Sequence, residues 1–172
     1  MGTGGLFLRK LRAKVAAEPT GFAWVQEGKL AGSGYPASRS QVEWLVRAGI
    51  NSILTLTIDP LPLEFTRDLD VVTGHVPMAD HQPPGIDTMY RAVGFVEEQL
   101  TARRAVLVHC LAGEGRTGCV LAAYLIKTKG LDADEAMAEI RKAKPQFIEQ
   151  RQESALREFS GQMPGTRQRN TT

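Results

Sequence analysis

The chain has 172 residues, 42% of them hydrophobic and 23% charged, which suits one domain with a buried core and excludes wholesale disorder. Its two cysteines exclude a disulfide framework or a four-thiolate zinc site, and its longest apolar runs, such as Gly118–Ile126, are about half a membrane span. The net charge is +2, yet residues 21–160 hold 15 basic and 18 acidic side chains, which argues against the basic field of a nucleic-acid-binding domain.

Residues 1–20 carry Arg9, Lys10, Arg12 and Lys14 against Glu18, with Leu8, Leu11 and Val15 at helical spacing. This basic segment is expected to be a frayed or mobile helix, with contact to a membrane surface as the alternative. It lacks the apolar stretch of a secretory signal, and Leu6 stands where a myristoylation signal wants Ser or Thr. Trp24–Ala31 supplies one or two short strands. Ser38–Ala48 reads as a helix, with Ser40 and Glu43 at capping-box spacing and Gly49 after its end. Ser52–Thr57 and Val71–Val76 are β-rich. Ile86–Arg103 carries a helical stripe of Met89, Val93, Val96 and Leu100. Ala105–His109 has the apolar run of a central parallel strand. Thr117–Lys129 is apolar on most sides and stops at Gly130, as a buried helix would. Asp132–Lys144 is an amphipathic helix ended by Pro145. Glu149–Phe159 is the last helix, and Gly161–Thr172 is expected to be a disordered polar tail. The alternation predicts one α/β domain over 21–160, with a mostly parallel central sheet flanked by helices on both faces.

One segment carries most of the chemistry: His109-Cys110-Leu111-Ala112-Gly113-Glu114-Gly115-Arg116-Thr117-Gly118. It joins a predicted strand to a predicted helix, where α/β sheets hold ligands. Gly113 and Gly115 allow the positive φ that curls a short loop into a cup of backbone N–H groups. Arg116 can grip two oxygens of a phosphate as a fork, which Lys cannot imitate. Cys110 lies at the base of the same positive field, which favours the thiolate. A thiolate under a phosphate is a nucleophile for phosphoryl transfer.

This string resembles the HCxxxxxR signature of cysteine-dependent protein phosphatases, with a hydroxyl residue, Thr117, after the arginine. Phe22-Ala23-Trp24-Val25 and Gly28-Lys29-Leu30-Ala31-Gly32 resemble the entry segment of small atypical dual-specificity phosphatases of the VHZ type. Pro77-Met78-Ala79-Asp80-His81-Gln82-Pro83-Pro84 is similar to that group's general-acid loop. Leu131–Arg141 and Lys144-Pro145 through Ile148-Glu149 are similar to its last helices. The resemblance implies a protein tyrosine phosphatase-like fold that hydrolyses phosphotyrosine, and phosphoserine or phosphothreonine as well, through a phosphocysteine. It implies Cys110 as nucleophile, Arg116 and the N–H groups of Leu111, Ala112, Gly113, Glu114, Gly115 and Arg116 as phosphate binders, and Asp80 as general acid, then base. It further implies that Thr117 Oγ bonds the Cys110 sulfur and that His109 supports the loop. No metal or cofactor is expected. The family's water-positioning glutamine has no secure match, since Gln150 and Gln152 lie near but strict alignment places Glu153 there.

Each assignment has a plainer rival. Cys110 could be an ordinary buried thiol, and Asp80 a turn residue. Asp59, also beyond a predicted strand and before Pro60, competes for the acid's role, and Cys119 reads as buried and inert. Glu114 in the cup disfavours polyphosphoinositides. An RNA 5′-phosphate or phosphoinositide substrate, or rhodanese-type sulfur transfer, are the alternative functions. The expected partners are phosphorylated proteins or peptides, with no nucleic acid and no transmembrane segment. A monomer in the reducing cytosol is the expected form.

Overall fold

The computed structural model describes residues 18–164. Two strands, β1 (Ala23–Gln26) and β2 (Leu30–Ser33), pair antiparallel about a tight turn in which the Lys29 N–H donates to the Gln26 carbonyl at 3.0 Å. The expected Trp24–Ala31 segment is therefore a hairpin. Three further strands, β3 (Ser52–Thr55), β4 (Val72–His75) and β5 (Val106–His109), complete a mixed sheet in the order β1-β2-β5-β3-β4. All pairings except β1–β2 are parallel.

Side-chain alternation along the strands divides the core into two layers. Leu30, Leu54, Val106 and Val108 face one layer, and Ala31, Ile53 and Leu107 the other. The second layer is closed by α1 (Arg39–Arg47) through Val42 and Leu45. Its cap is Ser38, whose side chain accepts from the Gln41 N–H. The expected Ser40–Glu43 box is not formed: Ser40 Oγ pairs with Ser38 Oγ at 2.8 Å, and Glu43 takes the Arg39 Nε at 3.0 Å. A single helical turn, α2 (Leu63–Thr66), follows β3 in a stretch for which the sequence predicts no element.

The first layer is covered by α3 (Ile86–Thr101), α4 (Arg116–Lys129), α5 (Ala133–Ala143) and α6 (Gln150–Gly161). In α4 ten of fourteen residues are buried, so it packs on nearly every side. Its sequence accordingly shows little amphipathic stripe. Asp132 and Glu135 form a capping box at the start of α5, a device worth about 1 kcal/mol. Pro145 opens a 3₁₀ turn, Pro145–Phe147, which buries Phe147 against α4. A Cβ on Gly118 would collide with the Phe147 carbonyl, so the glycine admits this close approach.

The last helix reaches Gly161, and Met163 packs on the core, so this stretch is more ordered than a tail beginning at Gly161 implies. The expected helix around Leu8, Leu11 and Val15, and the rest of the C-terminal tail, lie outside the described residues. Among the described residues no helix is long and apolar enough to cross a membrane.

Candidate active site

The buried strand β5 ends at His109 and delivers Cys110 to the carboxyl edge of the sheet. The loop from Cys110 to Gly115 then turns into α4, whose first residue is Arg116. Gly113 has φ 75°, and a Cβ there would come within 2.5 Å of Gly34 N and Ser33 C. The loop thus lies against backbone just past β2, which only a residue without a side chain permits. Gly115 has φ 67°, and its Cβ would meet Gln152 Nε2 at 2.9 Å and Glu149 Oε2 at 3.0 Å.

Cys110 is 1% exposed and its thiol donates to the Glu114 carbonyl at 3.3 Å. The Glu114–Gly115 peptide bond is trans, as are all among the described residues, so the Glu114 C=O and the Gly115 N–H point opposite ways. The Gly115 N–H therefore faces away from the sulfur, which departs from a cup lined by every N–H from Leu111 to Arg116. Thr117 is buried, and its Oγ1 has no hydrogen-bond partner. The expected Thr117–Cys110 bond is not made in this structure; the bond at the sulfur is the one its thiol donates to the Glu114 carbonyl.

Arg116 is 4% exposed and bridges the cup to the loop after β4. Its Nη1 donates to the Met78 carbonyl at 3.1 Å, and its Nη2 pairs with Asp80 Oδ1 at 2.9 Å. Its Nε is buried without a partner among the protein groups. An unmatched buried donor costs on the order of 1–3 kcal/mol, and here it belongs to a guanidinium at the start of the helix that follows the Cys110 loop. Asp80 is half-exposed, and its Oδ1 also accepts from the His81 N–H at 2.9 Å. Asp59 shows no contact with Arg116; its charge instead acts on Tyr35.

His109 is buried beneath the cup. Its Nδ1 donates to the Cys110 carbonyl at 3.2 Å, which leaves Nε2 to accept from Thr55 Oγ1 at 2.8 Å. Burial drives its pKa down to about 4 against the opposing effect of the bond to the Cys110 carbonyl, so the ring is neutral at pH 7. Cys119 lies in the interior of α4, where burial pushes its thiol up to about 12. It touches Met89 Sδ at 4.0 Å.

One side chain at the cup, Gln152, is not singled out by the sequence alone from Gln150 and Glu153. Gln152 is 1% exposed, reaches Gly115, and its Oε1 has no partner among the protein groups. Glu153 instead pairs with Arg141 at 2.7 Å and with Arg157 at 3.3 Å. The signal was present in the helical period: Gln152 continues the buried stripe of Ala155, Leu156 and Phe159. Among the described residues no group of three or more His, Cys, Asp or Glu is placed to hold a metal ion.

A family model described as the Swiss Army Knife protein DSP-PTPase phosphatase domain matches residues 19–170. The dual specificity protein phosphatase Mpk3 of Drosophila melanogaster is 38% identical over 104 residues, covering 60% of this chain and 25% of that protein. The phosphatidylglycerophosphate phosphatase PTPMT2 of Arabidopsis thaliana is 26% identical over 144 residues, covering 80% of this chain and 62% of that one. The chain thus spans a quarter of the length of the first relative. The crystal structure of Tk-PTP in its active form superposes with a TM-score of 0.76 at 27% identity, covering 83% of this chain and 97% of that chain.

Proposed function

The chain belongs to the DSP-PTPase phosphatase domains, and from that premise we propose that it hydrolyses phosphate monoesters on protein tyrosine, and on serine or threonine, through a phosphocysteine. The observation that carries this reading is the buried Arg116, which stands in the same loop as Cys110 and reaches Asp80 at 2.9 Å. The groups that would serve as nucleophile, anion binder and proton donor thus come from the ends of two strands, β5 and β4, at the same edge of the sheet.

The Cys110 thiolate attacks phosphorus, a P–S bond forms and the P–O bond to the leaving group breaks. Asp80, entering as the acid, gives its proton to the departing oxygen. Arg116 Nε and Nη2 and the loop amides hold the equatorial oxygens as charge spreads over them. This requires the Glu114–Gly115 peptide to turn its N–H inward, which Gly115 permits. Water then attacks phosphorus, the Asp80 carboxylate takes its proton, and the P–S bond breaks to return thiolate and inorganic phosphate. Gln152, next to Gly115, is placed to orient that water, and Thr117 Oγ1 is free to bond the sulfur as it leaves. Neutral His109 holds Cys110 through its carbonyl, so it positions the loop and does not act as a base. The substrates on this reading are phosphorylated proteins or peptides, met by a monomer in a reducing compartment such as the cytosol.

Lipid phosphate is the second reading, favoured by the name of one relative, phosphatidylglycerophosphate phosphatase. Glu114, exposed on the cup, opposes a headgroup with several phosphates.

Cys110→Ser tests the central step. It should lower aryl phosphate turnover below detection while vanadate still binds, because Arg116 and the loop amides remain. Cys119→Ser should retain most of the activity. Near-wild-type turnover by Cys110→Ser would remove the nucleophile from the mechanism.

A further inference from the structure

Among the described residues three large apolar side chains stand out into solvent: Ile58 at 62% exposure, Leu63 at 68% and Leu111 at 61%. Single exposed apolar residues are ordinary. These three share one place, the carboxyl edge of the sheet, where Ile58 follows β3, Leu63 opens α2 and Leu111 follows Cys110. Tyr35, just past β2, ties them together. Its N–H donates to the Leu111 carbonyl at 2.9 Å, and its ring meets the His109 ring edge-on at 5.6 Å. Its hydroxyl is pushed up by burial and then by the charges of Asp59 and Glu64. Those two acids are the chain neighbours of Ile58 and Leu63, so the charges of both loops act on Tyr35, whose backbone holds Leu111.

The surface is built on fixed backbone. Thr57 Oγ1 donates to the Asp59 carbonyl at 2.8 Å, and His75 Nε2 donates to the Thr57 carbonyl at 2.9 Å. Arg39 Nη1 donates to the carbonyls of Glu64 at 3.2 Å and Arg67 at 2.7 Å, pinning α2 to α1. Apolar side chains held out by such bonds beside a phosphate site mark a place for a partner.

We propose that Ile58, Leu63 and Leu111, together with Asp59 and Glu64, form a shelf that receives the residues flanking the phosphorylated one in a peptide, and that the shelf prefers an apolar side chain accompanied by Lys or Arg. The proposal rests on the phosphatase reading above and adds the sequence context that this site selects. Apolar contact supplies burial, while the two acids attract a cation and repel acidic flanks. The same acids, with Glu114 exposed on the cup, would face an anionic lipid surface unfavourably.

The test compares kcat/KM of the full chain for two phosphotyrosine peptides of equal length, one flanked by Leu and Arg and one by Asp and Glu. The first should be preferred about tenfold, the size expected from partial burial of one aliphatic side chain and one rim charge pair. Leu63→Ser and Glu64→Lys should each cut that preference by about 3- to 10-fold. Turnover of para-nitrophenyl phosphate should not change, since neither residue belongs to the catalytic machinery. Equal use of both peptides with intact aryl phosphate turnover overturns the shelf and leaves the phosphatase reading standing. Loss of aryl phosphate turnover in the unmodified chain overturns the phosphatase reading itself. Faster turnover of phosphatidylglycerophosphate vesicles than of either peptide, reduced by Leu63→Ser, overturns the peptide assignment in favour of a lipid surface.

Discussion

Two loops leave the same edge of the sheet, one after β3 and one after β4, and each carries an aspartate close to a proline. The strand order places β3 beside β5, whose end bears Cys110, and β4 one strand further away. Proximity in the sheet would therefore give the acid's role to Asp59. In the structure it is Asp80 that pairs with Arg116, at 2.9 Å, and Asp59 does not. The cause is how each loop is anchored. After β4 the chain continues inward: Met78 is buried, its N–H donates to the Leu56 carbonyl at 3.0 Å, and its own carbonyl takes Arg116 Nη1. After β3 the Leu56 N–H still donates to the His109 carbonyl at 2.9 Å, but Thr57 then folds the chain onto Asp59 and turns Ile58 outward. A side chain's chemistry follows from its backbone anchors more than from its neighbours in sequence.

The largest effect expected from this contrast belongs to Asp80→Asn. A serine alkoxide hardly leaves unprotonated, whereas a nitrophenolate leaves readily. The variant should hydrolyse a phosphoserine peptide about 10²–10⁴-fold more slowly and lose far less on an activated aryl phosphate. Equal losses on both substrates would show that Asp80 does something other than protonate the leaving group.

The next effect acts at the root of the β3 loop, where Thr55 Oγ1 donates to neutral His109. The His109 pKa falls from 6.5 to about 4 on folding. Below pH 6.5 the unfolded chain takes up a proton that the folded chain refuses, so stability declines as pH falls towards 4. The accumulated loss is about 3 kcal/mol. Urea midpoints at pH 7 and pH 5 should reveal it, and His109→Gln should flatten the difference. An unchanged slope in that variant would assign the acid sensitivity to other groups.

The smallest effect belongs to Asp59→Asn. Removing a rim charge should alter aryl phosphate turnover by less than about 5-fold, the range of exposed charge interactions. If it reproduced the leaving-group dependence expected of Asp80→Asn, the contrast between the loops would be reversed.

The parts legible in sequence are those that local physics dictates. Val106-Leu107-Val108 announces a central strand, and two glycines before an arginine at a helix start announce a cup. The amphipathic run before Pro145 marks its helix, which the structure places over Ala133–Ala143. Less legible was anything decided by tertiary partners. The cap of α1 is Ser38 and not Ser40, although both precede a suitable residue at the right spacing. The turn α2 has no side-chain cap and too few residues to show a period. Asp80 was placed by resemblance, since nothing local distinguishes its loop from that of Asp59. The direction of the Glu114–Gly115 peptide depends on ψ of Glu114 and φ of Gly115 together, which composition does not record.

The ion pair between Arg116 and Asp80 has a thermodynamic consequence. A guanidinium that is 4% exposed already has a carboxylate on Nη2 and a carbonyl on Nη1. An incoming phosphate that takes the Nε and Nη2 edge must evict the carboxylate, so association is an exchange of one anion for another. On the proposed mechanism Asp80 is a tethered competitor of phosphate, at an effective concentration set by the short β4 loop. The affinity for phosphate is then, on the same mechanism, a difference between two anions, and the returning carboxylate helps to displace the inorganic phosphate that hydrolysis leaves behind.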